Sequence, residues 1–292
     1  MNIYNSFDTV PQIENAVLAL GTFDGMHLAH RRLAEKLCQD ARGIKGNSIV
    51  VSFLAHPRKT IAKNYNHGVL TTPSEKTDIF AQIGLDNLII MDFSTDIANM
   101  SYIEFIDFLQ KKIGIQKIIL GYNHHFGKNR EGCYTTLLKL GKERHFEVEK
   151  FEKQTIDGLD ISSSSIRHAL SCGDIETANK LLGYNYSICI KTHYNENEDN
   201  EETPKKTLGH CGLDPQSSAK MLFTSELQLN PAMTEIQKTE FFRSAHDVIF
   251  FDTNKLLPKN GRYIVEINGI NFFAIVKQPQ FTIEAMDRAD EI

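Results

Sequence analysis

Two histidines, His27 and His30, stand three residues apart directly after a glycine-containing segment. Residues 16–20 form a short apolar run that stops at Gly21, as a buried parallel strand would. Gly21 and Gly25 allow the backbone to turn sharply and to approach a phosphate closely. A helix that begins near His27 would direct its free N–H groups at that anion. Both imidazoles would then lie on one helical face and could contact the same phosphate oxygens.

A histidine pair of this spacing is a weak signal when it is taken alone. It could also belong to a zinc site, but no third cysteine, histidine or carboxylate falls at a helpful spacing along the chain. The ten residues 21–30 together are far more specific than either histidine. They favour a phosphate site for a nucleotide over a metal site.

The surrounding pattern alternates strands with helices, which predicts a doubly wound parallel sheet of the α/β class. In such sheets ligands bind beyond the carboxyl ends of the strands, where the strand order reverses. Residues 21–30 lie at such an end. Strands are predicted at residues 16–20, 48–53, 88–91, 117–120 and 146–148, and helices after His27, from Pro73 to Gly84, over 101–112 and over 135–143.

The pattern changes after Gly183. Residues 195–202 are polar and acidic, which predicts a solvated loop around 194–206. Beyond this loop come apolar runs at residues 247–251, 263–267 and 271–276, the last two separated by a plausible hairpin turn at 268–270. The C-terminal part therefore reads as a small, mainly antiparallel β domain.

The composition excludes several classes of protein. The chain has 292 residues, of which 41% are hydrophobic and 24% are charged, and its net charge of −5 gives no electrostatic footprint for nucleic acid. No apolar stretch approaches the roughly 18–20 residues that span a bilayer. The first residues lack the basic and apolar segments of a signal peptide. The five cysteines form no CxxC pair, which indicates reduced thiols in a cytoplasmic protein; they are Cys38, Cys133, Cys172, Cys189 and Cys211.

Two later segments also carry groups that suit a nucleotide. In the loop after the fourth strand, the Asn123 amide offers both a donor and an acceptor, whereas His124 and His125 are expected to be surface or packing residues. The serines at 162–165 suit a helix start, where hydroxyls cap free N–H groups and where phosphate can also bind. Arg167 adds a charge that could bind phosphate oxygens.

Residues 21–30, Gly-Thr-Phe-Asp-Gly-Met-His-Leu-Ala-His, resemble the GTFDGxHxGH signature of bacterial FMN adenylyltransferases, the N-terminal half of bifunctional riboflavin kinase/FAD synthetase. Ala29 stands where that family usually has glycine. Four further segments are similar to family motifs in the same order, and the resemblance covers roughly residues 14–188. They are residues 53–58 (Phe-x-x-His-Pro), 70–76 (a helix entry), 121–127 (Gly-x-Asp/Asn-x-x-Phe-Gly) and 161–167 (Ile-Ser-Ser-Thr-x-Ile-Arg, with Ser164 for threonine).

The resemblance implies a Rossmann-like nucleotidyltransferase domain over residues 1–186 and a transfer of AMP from ATP to FMN that yields FAD and pyrophosphate. It implies Mg²⁺ that arrives with ATP and no dedicated metal site. The implied catalytic residues are His27, His30, Asn123 and Arg167. The implied ATP-binding residues are Gly21, Thr22, Phe23, Asp24, Gly25, Ser162, Ser163 and Ser164, and the implied FMN-binding residues are Phe53, His56, Pro57, Asn123 and Phe126.

The resemblance weakens over residues 187–292, where a riboflavin kinase barrel should follow. Residues 207–209 resemble the approach to its Pro-Thr-Ala-Asn motif, but that motif is absent from the chain. We therefore expect a degenerate kinase-like barrel without kinase activity. Three alternatives stay open: a bifunctional kinase and adenylyltransferase, another HxxH adenylyltransferase acting on nicotinate mononucleotide or phosphopantetheine, and a flavin-binding protein without catalysis.

Overall fold

The computed structural model describes residues 1–53, 68–193, 218–223, 248–251, 255–267, 270–278 and 280–285. By its internal contacts the chain divides into two compact units, residues 1–163 and residues 164–292. This division assigns the two helices between residues 163 and 182 to the second unit, whereas the sequence predicts that the first domain extends to residue 186. The boundary at residue 186 stays a prediction.

The first unit is built on a six-stranded sheet in the order β1-β4-β3-β2-β5-β6. Every neighbouring pair in it is parallel, so the doubly wound sheet that the sequence predicts is confirmed. Its strands are β1 (Asn2–Tyr4), β2 (Ile13–Leu20), β3 (Asn47–Phe53), β4 (Asn87–Met91), β5 (Ile113–Gly121) and β6 (Glu147–Phe151), and a short hairpin of β7 (Thr155–Ile156) and β8 (Leu159–Asp160) follows.

The helices of this unit begin and end close to where the sequence signals place them. Thr72 and Glu75 form a capping box at the start of the helix that contains Pro73, and Gly84 ends it with a left-handed φ of 84°. Ser101 and Glu104 form a second capping box. The α-helices are α1 (Leu28–Gly43), α2 (Pro73–Ile83), α3 (Thr95–Asn99), α4 (Tyr102–Gln110) and α5 (Tyr134–Arg144), with short 3₁₀ segments at Phe7–Thr9 and Lys128–Arg130.

Both faces of the sheet are buried, and β2 shows why. Its residues alternate between two apolar clusters: Leu18 and Leu20 pack in one layer, and Val17 and Ala19 pack in the other. The second layer includes Leu37 of α1 and the first includes Phe105 of α4. Because both faces are covered, strand β2 is held rigidly, and the chain leaves its carboxyl end in a defined direction.

The second unit contains an antiparallel sheet, which confirms the small β domain expected there. The side chains of Tyr186 and Val265 are fully buried. The acidic loop expected around 194–206 and the turn at 268–269 lie outside the described residues. The elements are α6 (Ser163–Cys172), α7 (Ile175–Leu182), β9 (Ser187–His193), β10 (Ser218–Phe223), β11 (Val248–Phe251), β12 (Gly261–Ile267), β13 (Ile270–Lys277) and β14 (Gln280–Ala285), in the sheet order β11-β9-β10-β12-β13-β14.

Within the part of the chain that the structure describes, no helix has both the length and the apolar character needed to cross a bilayer.

Candidate phosphate site at the switch point of the sheet

The strand order reverses between β2 and β5, and this junction is where an open α/β sheet binds its ligand. From β2 the chain proceeds through β3 and β4 on one side, while β5 and β6 lie on the other. The segment that follows β2 contains residues 21–27, which we call the phosphate turn. The loop that follows β5 contains Asn123. The topology therefore brings the two segments singled out from the sequence to the same edge of the sheet.

The phosphate turn has an unusual backbone. Gly25 has a φ of 87°, and two residues with side chains, Phe23 at 48° and Met26 at 36°, also occupy the left-handed region. Such conformations cost about 1–3 kcal/mol for a residue other than glycine and persist only where the surroundings impose them. Here the side chains of Phe23 and Met26 are buried, and Phe23 packs edge-on against Phe80 at 5.3 Å between ring centroids.

Hydrogen bonds to the segment before α2 hold the turn in place. One carboxylate oxygen of Asp24, a residue only 5% exposed, accepts the backbone N–H groups of Leu70 at 2.9 Å and Thr71 at 3.1 Å. In return the Thr71 hydroxyl accepts the N–H of Gly25 at 2.9 Å. Asp24, expected from the sequence to contact ATP, thus directs at least one oxygen toward the protein, and this bonding holds the turn.

Helix α1 begins at Leu28, so His27 is its N-cap residue and not part of its first turn. The His27 Nδ1 atom accepts the backbone N–H of His30 at 3.3 Å. An α-helix leaves its first N–H groups without intrahelical acceptors, and with that of His30 taken, those of Leu28 and Ala29 remain. The two imidazole rings stack at 3.6 Å between centroids with an interplanar angle of 16°. The histidines therefore meet by stacking across the helix start.

The cap also assigns the tautomer of His27. Since Nδ1 accepts a hydrogen bond, the proton of the neutral ring is on Nε2, which becomes a donor. Burial lowers the pKa of His27 to about 4, although the negative charge of Asp24 opposes the shift. Burial also lowers the pKa of His30 well below its usual value, helped by charge on His27, Lys76 and His124. Both rings are neutral near pH 7, and the Nδ1 atom of His30 is buried without a hydrogen-bond partner among the described residues.

The loop after β5 presents a different surface. Asn123 is exposed, and its backbone carbonyl lies 3.0 Å from the Nδ1 of exposed His125. His124 points inward: its Nε2 is buried without a hydrogen-bond partner among the described residues, and burial lowers its pKa to about 4. Its ring lies 6.0 Å from that of Phe126, which also packs against Phe105 of the core.

A cleft lies between the phosphate turn and the start of α2. Phe53, expected to bind flavin, lines it from the end of β3. Lys76 enters it from α2: its ammonium donates to the carbonyl oxygen of Thr22 at 2.6 Å and to the Ser52 hydroxyl at 3.3 Å. The described lining residues are Thr22, Asp24, Phe53, Val69, Thr71, Pro73 and Lys76.

The serine segment is attached to the phosphate turn at its first part. The Ser163 hydroxyl donates to the backbone carbonyl of Asp24 at 2.8 Å, which places Ser162 and Ser163 beside the turn. Ser164 is exposed in the first turn of α6, and Arg167 lies one turn further along that helix, within the second unit. Their contribution to the site stays a prediction.

The structure therefore brings together the turn, both stacked histidines, Ser163 and, at the neighbouring strand end, the Asn123 loop. His56 and Pro57 lie outside the described residues. Sequence reasoning did not select Thr71, Lys76 or the inward-facing His124. Thr71 and Lys76 stand inside the helix-entry motif at 70–76, which is the one signal that points to them. No group of three or more potential metal-ligating side chains occurs among the described residues.

Known proteins with related sequences share this part of the chain. The sequence model of the FAD synthetase family matches residues 10–165. A bifunctional riboflavin kinase/FMN adenylyltransferase from Listeria monocytogenes is 35% identical over 175 residues, which are 59% of this chain and 55% of that protein. The protein of the same name from Escherichia coli K12 is 30% identical over 185 residues, 63% of this chain and 59% of that protein. The chain thus aligns with little more than half the length of these relatives.

A solved structure extends the likeness to the whole fold. The crystal structure entitled macrolide-efflux protein from Streptococcus pneumoniae is 20% identical, with a TM-score of 0.68 that covers 98% of this chain and 91% of the other. At this level of identity the likeness concerns the fold alone.

Proposed function

The chain belongs to the FAD synthetase family, and from this premise we propose that it is an FMN adenylyltransferase, which transfers AMP from ATP to FMN. The observation that carries the proposal is the strained, tertiary-held phosphate turn with its two stacked, neutral histidines at the switch point of the sheet. Strain that is retained at a ligand-binding edge is typical of a preorganised site.

In the proposed reaction a phosphate oxygen of FMN attacks the α-phosphorus of ATP, and the bond from that phosphorus to the β-phosphate oxygen breaks. Such transfers need little covalent help from the protein, because positioning and charge stabilisation lower the barrier. The Nε2–H of His27 and the N–H groups of Leu28 and Ala29 would stabilise the charge that develops on the α-phosphate. His30 would orient His27 through the stack.

Asn123 is proposed to contact the substrates from the loop after β5, because its exposed amide can both donate and accept. Ser162, Ser163, Ser164 and Arg167 are proposed to bind the β- and γ-phosphates, with Ser163 already tied to the turn. Phe53, His56, Pro57 and Phe126 are proposed to line the flavin side, and of these the Phe126 ring packs into the core. Mg²⁺ is expected to enter on the phosphates of ATP and to neutralise part of their charge.

One incubation tests the proposal. The purified chain is mixed with Mg-ATP and FMN, and the products are separated by chromatography with fluorescence detection. We expect FAD and pyrophosphate in equal amounts. Parallel incubations with nicotinate mononucleotide and with phosphopantetheine test the other adenylyltransferase chemistries. Adenylylation of either compound in place of FMN would contradict the proposal, and a tightly bound flavin with no product would favour a binding protein.

For the C-terminal part we keep the proposal of a kinase-like barrel without kinase activity, which the absence of Pro-Thr-Ala-Asn supports. The test is an incubation with Mg-ATP and riboflavin alone. We expect no FMN, so the chain would depend on another protein for that substrate. Steady FMN production would show that the chain is bifunctional.

A further inference from the structure

Lys76 is a buried cation with an unusual set of partners. The residue is 7% exposed, and its ammonium bonds to two neutral oxygens, the carbonyl of Thr22 and the hydroxyl of Ser52. No described carboxylate lies within 4.0 Å of its nitrogen. Burying a charge without an ionic partner is costly, and such groups are usually paired or neutralised.

The groups around Lys76 shift its pKa in opposite directions. Burial lowers the pKa of Lys76 to about 8, and the carboxylate of Asp24, in the turn, opposes the shift. His30, on α1, is close enough to interact with this group, because positive charge on Lys76 helps to lower the pKa of that histidine. Glu75, the preceding residue of α2, bonds back to the Thr72 N–H as part of the capping box. An anion placed in the cleft would therefore add to the stabilisation that Asp24 gives to the charged form of Lys76.

The position of Lys76 connects it to the phosphate turn directly. Two of the three ammonium hydrogens are used by Thr22 and Ser52, and the same side chain lines the cleft beside Asp24 and Thr71. Thr22 belongs to the turn that precedes the histidine pair. The ammonium thus fixes the backbone of the turn and brings a positive charge to it.

We propose that Lys76 is a positioning residue of the nucleotide site, which holds the phosphate turn through Thr22 and attracts the phosphate chain of ATP with its buried charge. This inference rests on the proposed adenylyltransferase function. It predicts that ATP binds best when Lys76 is charged. Bound phosphates would keep the ammonium protonated, so the affinity should fall by about tenfold for each pH unit above the pKa of the free protein.

The test measures the binding of α,β-methylene-ATP, which cannot react, with Mg²⁺ by calorimetry on the full chain at pH 7 and pH 9. We expect the Kd of the unmodified chain to rise by about tenfold between these values. Lys76→Arg keeps its charge at both pH values, so its Kd should change little between pH 7 and pH 9. Lys76→Gln can still donate to Thr22 but has no charge, so it should bind at least tenfold more weakly at pH 7 and show little further loss at pH 9.

The controls distinguish an effect of the Lys76 charge from a loss of folding. They also distinguish a failure of this inference from a failure of the proposed function. Thermal melting shows whether Lys76→Gln folds; if it does not, the unmodified chain and Lys76→Arg decide by their pH dependence. Binding by Lys76→Gln equal to that of the unmodified chain would overturn the role of Lys76, as would equal pH dependence in the unmodified chain and Lys76→Arg. FAD formation by the unmodified chain is measured separately, so a chain that binds the analogue as expected but makes no FAD contradicts only the proposed function.

Discussion

The two segments that meet at the switch point differ in how the turn that carries their functional residues is held. The phosphate turn after β2 is buried and holds Phe23 and Met26 at positive φ, and it is fixed by bonds to residues about 46 positions away in the chain, such as that from the Gly25 N–H to Thr71. The loop after β5 exposes Asn123, and its turn is closed locally by the bond from the His124 N–H to the Gly121 carbonyl at 3.0 Å.

This difference indicates that the two segments contribute to the site in different ways. A turn that is held by distant contacts can keep N–H groups and imidazoles in place before the substrate arrives, which is how charge is stabilised at low reorganisation cost. A loop closed by local bonds can adjust around a ligand and contribute mainly through the side chain that it presents. Substitutions in the turn should therefore affect both stability and turnover, whereas Asn123 should affect turnover alone.

The largest effect is expected at His27. His27→Ala removes the donor that we propose stabilises the developing charge. It should lower the turnover number about 10²–10³-fold, together with a loss of about 1 kcal/mol in the free energy of unfolding from the missing N-cap. His27→Asn restores a good cap and should recover the stability without the activity. Steady-state FAD formation and urea unfolding measure the two effects, and full turnover in either variant would refute the assignment.

Thr71 tests whether the turn is held from a distance. Thr71→Val keeps the shape of the side chain but removes the acceptor of the Gly25 N–H, so we expect a loss of about 1–3 kcal/mol in the free energy of unfolding and a weaker affinity for ATP. Thr71→Ser keeps the hydroxyl and is the matched control. Denaturant unfolding that shows no difference between the valine and serine variants would mean that the turn holds itself.

Asn123 tests the opposite character of the second loop. Asn123→Ala should reduce kcat/KM by up to about tenfold, the scale of one or two lost hydrogen bonds, and should leave the melting temperature unchanged because the side chain is exposed. Asn123→Asp keeps an acceptor and, if acceptance is what matters, should retain more activity. A fall in melting temperature for the alanine variant would show that this loop, too, is held by its side chain.

His124 should affect only the dependence of stability on pH. Its folded pKa of about 4 lies below the usual value near 6.5, so the unfolded chain binds a proton that the folded chain does not, and stability falls as the pH drops from about 6.5 toward 4. His124→Phe should reduce that fall by about 2 kcal/mol at pH 5. Exposed His125→Phe is the control, and equal pH profiles for both variants would contradict the burial of His124.

Much of this architecture could be read from local patterns. The apolar runs that became β2, β3, β4 and β5, the capping boxes at Thr72 and Ser101 and the stop at Gly84 are signals carried by neighbouring residues, and the structure confirms the elements they predict. The histidine pair could be found for the same reason, since its spacing and the preceding glycines are local. The parallel arrangement of the strands could be predicted from the alternation of strands and helices along the chain.

The tertiary structure alone decided the contacts within the site. The sequence suggested that both histidines lie on one helical face, but the helix begins at Leu28, and the rings meet by stacking with His27 as the cap. It also could not show that Asp24 bonds to Leu70 and Thr71, that Lys76 reaches Thr22, or that His124 turns inward. These contacts join residues distant in the chain, and burial and hydrogen bonding between them exist only once the sheet has brought the strand ends together.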